Sequence, residues 1–369
     1  MTDQTRPNPT DTAEAVEAVI AQLMGELGGS LGVLLTDLGL RAGIWPALRG
    51  TGPVSVADLA ARTGVAAPLL REWLRSQAAA GYLSHHPGTT GPDQDRFALP
   101  EPVAIALLDA PGGAIVGACT EMLISMAEHH DALGDAIAGD GGLGWDERDF
   151  RHWHGADRLT RATLPAELIA AAVDAMEGIA PALDAGGTVL DVGCGFGFPT
   201  LTIAGHHPGA RAIGIDYHAR SVAEASSRAE RAGLADRVSF QVAAATDPPG
   251  SGYALITYFD SLHDFGDPVA ALRAARSVLA PGGAVLVCEN AAADTVAENL
   301  NPAGRMFYAV SALVCTPNAL SQRGPGADDP LGTFAGAARL TEIAREAGFG
   351  RMRRIETPGA MSLFLDLRV

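Results

Sequence analysis

The groups in this chain whose types and spacing can do chemistry are an acid, three glycines and a histidine beside a carboxylate. Asp191 lies at the end of the run Thr188 to Val192, and Gly193, Gly195 and Gly197 follow at alternate positions. A buried strand that turns through glycines into a helix lets backbone approach a nucleotide-like ligand. Asp216 ends a second such stretch, Ala212-Ile-Gly-Ile, nineteen residues past Gly197. Its carboxylate is placed to accept hydrogen bonds from both hydroxyls of a ribose. Further on, Leu262-His-Asp-Phe-Gly-Asp267 sets His263 beside Asp264. An imidazole is neutral near pH 7 and can take a proton, and a neighbouring carboxylate can fix its tautomer.

These residues need a scaffold, and from Gly187 onward strands alternate with helices, the pattern of a doubly wound parallel sheet in an α/β domain. Expected strands are Thr188 to Val192, Ala210 to Asp216, Val238 to Ala243, Ala254 to Phe259 and Ala284 to Glu289, with Gly282-Gly283 turning into the fifth. Two more, about Gly350 to Glu356 and Ser362 to Leu367, follow each other directly and imply a terminal antiparallel hairpin.

The N-terminal half reads as helices. After a polar tail, Met1 to Asp11, the residues Val16, Val19, Ile20, Leu23, Met24 and Leu27 recur at spacings of three and four, and Gly28-Gly29 is expected to stop that helix. A second helix is expected from Leu31 to Leu48. Ser55 with Asp58 caps a short helix that Gly64 ends, and a longer one carries Leu70, Trp73, Leu74 and Ala78 on one face. Followed by the glycine-rich segment Ser84 to Arg96, this is a helix-turn-helix with a wing. Residues 1–110 form the expected winged-helix domain, 111–186 a helical connector and 187–369 the sheet domain.

Charge decides what the winged helix is for. Residues 1–110 hold seven arginines against twelve acids, too little positive charge for a duplex-binding surface, so a fold reused for dimer packing is expected. The whole chain carries a net charge of −17, with basic residues supplied by arginine alone. Phosphate-tracking is disfavoured, and without lysine Schiff-base chemistry is excluded. Cys119, Cys194, Cys288 and Cys315 show no C-x-x-C spacing, so they read as reduced thiols of a cytoplasmic protein. The longest nearly apolar run, Phe307 to Cys315, is too short for a bilayer, so no membrane association is expected.

The glycines do not keep the dinucleotide spacing G-x-G-x-x-G, because position 198 is Phe. Asp191 followed by G-x-G-x-G resembles motif I of the class I S-adenosylmethionine-dependent methyltransferases, and the terminal hairpin agrees. The L-H-D-F-x-D element at 262–267 is similar to one in two-domain small-molecule O-methyltransferases. The order of winged helix, helical connector and Rossmann-like seven-stranded methyltransferase sheet resembles theirs along nearly the whole chain.

That resemblance implies S-adenosylmethionine as cofactor and S-adenosylhomocysteine as product. Gly193, Gly195 and Gly197 would let backbone approach its methionine part, Asp191 orient its ammonium group, and Asp216 with Tyr217 and Asp260 hold the rest. The family's adenine-reading acid has no direct match, since Ala244 stands there, leaving Asp247 or apolar contact. His263 would be the general base, supported by Asp264, with Glu289 as the family's further acid. The acceptor would be small, aromatic or enolic, and O-methylated in natural-product metabolism. Methylation at carbon, nitrogen or sulfur, a non-methylating reaction and a cofactor-sensing transcription factor are the rivals. The cluster Trp145, Phe150, His152, Trp153 and His154 reads either as an acceptor-facing wall or as a packing seam. No metal is expected at its histidines, which lack a third ligand nearby. Met306 and Phe307, in the insertion between the fifth strand and the last helix, are candidates for a lid. A homodimer that binds no nucleic acid is the expected assembly.

Overall fold

The computed structural model describes residues 9–89, 91, 94–139, 141–322, 330–357 and 361–369, so most of the polar tail lies outside the described residues. The chain divides into two compact units, Met1–Thr120 and Glu121–Val369.

In the first unit α1 (Pro9–Arg41) runs straight through Gly28 and Gly29. Each glycine costs a helix about 1 kcal/mol, but neither takes the left-handed conformation that ends one, and leucines continue the helix beyond them. The break comes at Gly43, with φ 68°. Within Thr12–Arg41 an 18-residue stretch has a mean hydropathy of 1.6, so by length and composition this unbroken helix could cross a bilayer. A search for nearly apolar runs passes over this helix, because charges are interleaved along it. Val16, Val19, Ile20, Leu23, Met24 and Leu27 are all exposed. The other end of α1 packs: Trp45 Nε1 donates to Thr36 O at 3.0 Å and Trp73 Nε1 to Leu35 O at 2.8 Å.

Two helices, Val56–Thr63 and Ala67–Ala79, follow, the first capped by Ser55, whose Oγ accepts from Asp58 N. β1 (Val54–Ser55), β2 (Ser84–His86) and β3 (Arg96–Ala98) form a small antiparallel sheet ordered β1-β3-β2.

The second unit is built on seven strands: β4 (Thr188–Val192), β5 (Arg211–Asp216), β6 (Val238–Val242), β7 (Tyr253–Phe259), β8 (Leu279–Asn290), β9 (Arg351–Ile355) and β10 (Ser362–Arg368). Their order is β6-β5-β4-β7-β8-β10-β9. The first five are parallel neighbours, while β10 runs antiparallel between β8 and β9. Gly282 and Gly283 fall inside β8, which starts earlier than expected and pairs through a register shift near Tyr253. Apolar clusters cover both faces of the sheet, one around Leu190, Ile256 and Leu272, the other around Ile169, Leu183 and Leu255. The chain order reverses between β4 and β7, and the carboxyl ends of the strands there open onto the site.

Candidate active site

At the end of β4 the backbone turns under tight steric control. Gly193 (φ 72°) would set a Cβ 2.6 Å from that of Ser261, and Gly197 (φ 80°) would set one 2.5 Å from the Phe240 ring. Gly195 (φ 51°) has open space above it. The turn is packed at both ends and clear in the middle, as a ligand lying on backbone requires.

That clear space belongs to a cavity of about 580 Å³. Asp216 lines it from the tip of β5. Its Oδ2 accepts from Gly195 N and its Oδ1 from His218 N, both at 2.9 Å, which aligns the carboxylate and leaves each oxygen a further lone pair. Burial raises its pKa. Beside it Tyr217 also lines the cavity, but its hydroxyl is already engaged, donating to Asn318 Oδ1 at 2.9 Å and accepting from Trp145 N at 3.1 Å. Five aspartates, 157, 216, 260, 264 and 267, and no cationic side chain line the cavity among the described residues.

Asp191 is not among the residues that line the cavity. It is buried, Thr200 and Thr257 both donate hydroxyls to its carboxylate, and burial lifts it to about 6. It supports the turn from below and does not reach the cavity. Past β6 the lining is Ala243, Ala244, Ala245 and Thr246, while Asp247 is exposed outside it. Of the residues weighed for that subsite, Ala244 lies on the cavity wall and Asp247 off it. Asp260 does line the cavity, with φ 48°, a buried Oδ1 without a partner and a pKa raised to about 7 by burial and Glu289.

The three expected catalytic residues stand in a row. Glu289, on β8, accepts from His263 N at 3.2 Å through Oε1 and grips His263 Nδ1 through Oε2. His263 Nε2 then lies 3.5 Å from Asp264 Oδ1. Of the three, only Asp264 lines the cavity, and its Oδ1 is buried without a hydrogen-bond partner. Burial opposes the imidazolium of His263, but Glu289 and Asp264 outweigh it and hold the pKa well above the usual value. Burial also raises Asp264, with His263 working the other way.

The aromatic cluster splits. Trp153 lines the cavity, its Nε1 donating to Trp145 O at 2.7 Å, and Trp145 lines it too. His152 is fully buried against the edge of Trp145, both ring nitrogens unpartnered, and burial depresses its pKa to about 3. Phe150 is exposed and stacks on His154, whose Nδ1 contacts Glu121 at 2.7 Å. Neither reaches the cavity, because the helix Phe150–Thr163 turns one face inward and these sit on another. Met306 is exposed and Phe307 stacks on Phe334, so the insertion's lining residues are instead Asn318 and Gln322. Sequence reading missed both, as well as Arg148. The latter is a buried guanidinium whose Nη2 donates to Leu313 O while Nε and Nη1 lack partners. Nothing in their local pattern marks them: Asn318 and Gln322 lie on and just past the short helix Thr316–Ser321, and Arg148 lies in a connection.

Residues 183–348 match the family model described as a methyltransferase domain. That stretch, somewhat under half of the chain, is a methyltransferase domain. Its sheet order and terminal hairpin are those of the class I, S-adenosylmethionine-dependent fold. A solved mitomycin 7-O-methyltransferase is similar with a TM-score of 0.66 at 18% identity, over 96% of this chain and 99% of that one. Human N-acetylserotonin methyltransferase, solved with S-adenosylmethionine, gives 0.63 at 16% over 100% and 99%. Identities this low speak for the fold alone. The 27-O-demethylrifamycin SV methyltransferase of Amycolatopsis mediterranei is 32% identical over 148 residues, 38% of this chain. The chain spans 54% of that relative's length.

The residues of the methyltransferase domain fit S-adenosylmethionine, the cofactor of this class. Gly195 leaves space over the turn, Asp216 presents free lone pairs, and a cavity lined by acids matches a ligand carrying a sulfonium and an ammonium cation.

Proposed function

We propose that the chain transfers the methyl group of S-adenosylmethionine to an oxygen of a small aromatic or enolic acceptor. The observation that carries this reading is one cavity shared by Gly195, Asp216 and Asp264, with aspartates and, among the described residues, no cationic side chain on its walls. A dinucleotide pyrophosphate would meet repulsion from these carboxylates. The cofactor supplies an electrophilic methyl, and the protein's own task is alignment and proton removal.

Asp216 holds the ribose hydroxyls, Gly193, Gly195 and Gly197 give backbone to the methionine part, and Ala244 with its neighbours covers the base by apolar contact. Trp145 and Trp153 form the acceptor wall, which fits a flat ring. The Asp264 carboxylate accepts the acceptor's hydroxyl proton. Its raised pKa makes it a better base than an ordinary carboxylate. His263 stands behind it and Glu289 fixes the ring, so the row Asp264, His263, Glu289 can spread the charge. This shifts the first proton contact from the histidine expected from sequence to its neighbour. Holding the reacting atoms in line supplies much of the remaining rate.

Several relatives with acceptor names are O-methylating enzymes by name, including rifamycin and erythromycin enzymes, which supports oxygen and natural-product metabolism. The exposed seam of α1 supports a homodimer. Its apolar residues recur at three and four, the spacing of a helix-packing stripe, and Glu14, Glu17 and Glu26 among them oppose burial in lipid. Four free cysteines support a reducing, cytoplasmic setting.

The test is turnover of S-adenosylmethionine with a panel of phenols, enols, amines and thiols, reading S-adenosylhomocysteine by mass spectrometry. Product formed only with oxygen acceptors is expected. Cofactor binding with no product across the whole panel would leave the fold standing and overturn the O-methylation reading.

A further inference from the structure

Away from the cavity, three helix ends converge on one group of side chains. Asp174 ends the helix Ala166–Asp174, Asp184 ends Ile179–Asp184, and His206 and His207 close the helix Phe198–His206 that starts at Gly197. His206 Nε2 lies 2.9 Å from Asp174 Oδ2, and His207 Nε2 lies 3.5 Å from Asp174 Oδ1. The two imidazoles thus present the same kind of nitrogen to the two oxygens of one carboxylate, their rings edge to face at 4.7 Å. One ligand atom from each of the three residues falls within 4.8 Å of the others.

His207 supplies a second, independent observation. It is buried to 3% exposure, and its Nε2 has no hydrogen-bond partner. Its other nitrogen, Nδ1, is held by Asp184 Oδ1 at 3.0 Å. A carboxylate on Nδ1 places the ring proton there and turns the Nε2 lone pair toward Asp174. A lone pair facing a carboxylate is an arrangement that a cation between them resolves. Carboxylate, imidazole and metal in series is also how protein metal ligands are oriented.

Distances agree with a small divalent ion. Tetrahedral bonds of about 2.0–2.1 Å set ligand atoms about 3.3 Å apart; here the two Nε2 atoms lie 2.9 and 3.5 Å from the two oxygens of Asp174, one from each. Two neutral imidazoles and one carboxylate are a donor set suited to zinc, with water in the remaining position. We propose that Asp174, His206 and His207 form a zinc-class cation site, with Asp184 orienting His207. Bound there, the ion ties the far end of the helix that leaves the cofactor turn to the helix Ala166–Asp174. Its role is structural, separate from methyl transfer.

The experiment uses the full-length protein without an affinity tag, stripped with chelator, and the metals themselves as probes. Zinc titration by calorimetry should give one equivalent per chain, cobalt should give a visible d–d band, and zinc should raise the melting temperature. His206→Ala and Asp174→Asn change half-exposed groups and should each abolish the band. Asp184→Asn should weaken zinc about 10- to 100-fold while keeping it. His130→Ala, an exposed histidine elsewhere, should change nothing. Circular dichroism verifies that each variant is folded. Either no saturable binding in the wild type, or stoichiometric binding that survives in His206→Ala and Asp174→Asn, would overturn the site.

Discussion

Glu289 holds His263 at two points, one oxygen on the backbone N–H and the other on ring Nδ1, which leaves Nε2 to face Asp264. The contact locks the ring's orientation and fixes which nitrogen faces the site. Of the row, only Asp264 opens on the cavity.

Asp264→Asn is therefore expected to lower kcat by about 10²- to 10⁴-fold, the usual contribution of a positioned base. His263→Ala should act in the same direction but less, because it works through Asp264. Cofactor affinity measured by calorimetry should be unchanged in both. Equal kcat in Asp264→Asn and wild type, with a phenolic acceptor, would remove proton transfer from this residue.

The two buried histidines predict opposite effects of pH on stability. His263, raised well above an unfolded value of about 6.5, contributes stability fully present below 6.5 and lost as pH rises through the raised value. His152, depressed to about 3, does the reverse. The unfolded chain takes up its proton first, so stability falls as pH drops from about 6.5 toward 3, by about 1.4 kcal/mol per unit. Urea denaturation across pH 4 to 9 checks both. His152→Phe should flatten the acid limb, and His263→Gln the alkaline one.

Asp216→Ala should weaken S-adenosylmethionine binding about ten- to a hundredfold, since a hydrogen bond to a charged group contributes about 1.5–3 kcal/mol. The same change frees Gly195 N–H, so part of the loss comes from a looser turn. Asp247→Ala, outside the cavity, should leave the dissociation constant as it is.

Gly197→Ala should destabilise the second unit by about 1–3 kcal/mol. The left-handed φ strains alanine and the Phe240 ring occupies the place of its methyl group. A melting curve within a degree of wild type would show that the turn relaxes more than its packing implies.

Leu23→Glu puts a charge in the middle of the exposed seam of α1. If that seam joins two copies, light scattering should show dimer for the wild type and monomer for the variant. A monomeric wild type would end the dimer proposal.

The seven strands, the glycine turn and Asp216 were legible because each follows from local chemistry: apolar runs of strand length, glycines where φ turns positive, an acid at a strand tip. The cavity wall was less so. Trp153 and His152 are neighbours in sequence, and only helix geometry decides that one lines the cavity and the other is core. Asn318, Gln322 and Arg148 reach the site's surroundings through tertiary packing, which carries no period. Gly28-Gly29 misled for a related reason: a glycine pair ends a helix only where a left-handed residue has something to gain, and here the leucines beyond continue it.

Tyr217 carries one more implication. Its hydroxyl links Trp145 to Asn318, while its backbone is continuous with Asp216. If Trp145 forms the acceptor wall and Asp216 holds the cofactor, as proposed, acceptor preference and cofactor grip meet in one residue. Efforts to widen the acceptor range by redesigning position 318 will be paid in cofactor affinity unless Tyr217 is given another partner, so the two should be evolved as a pair.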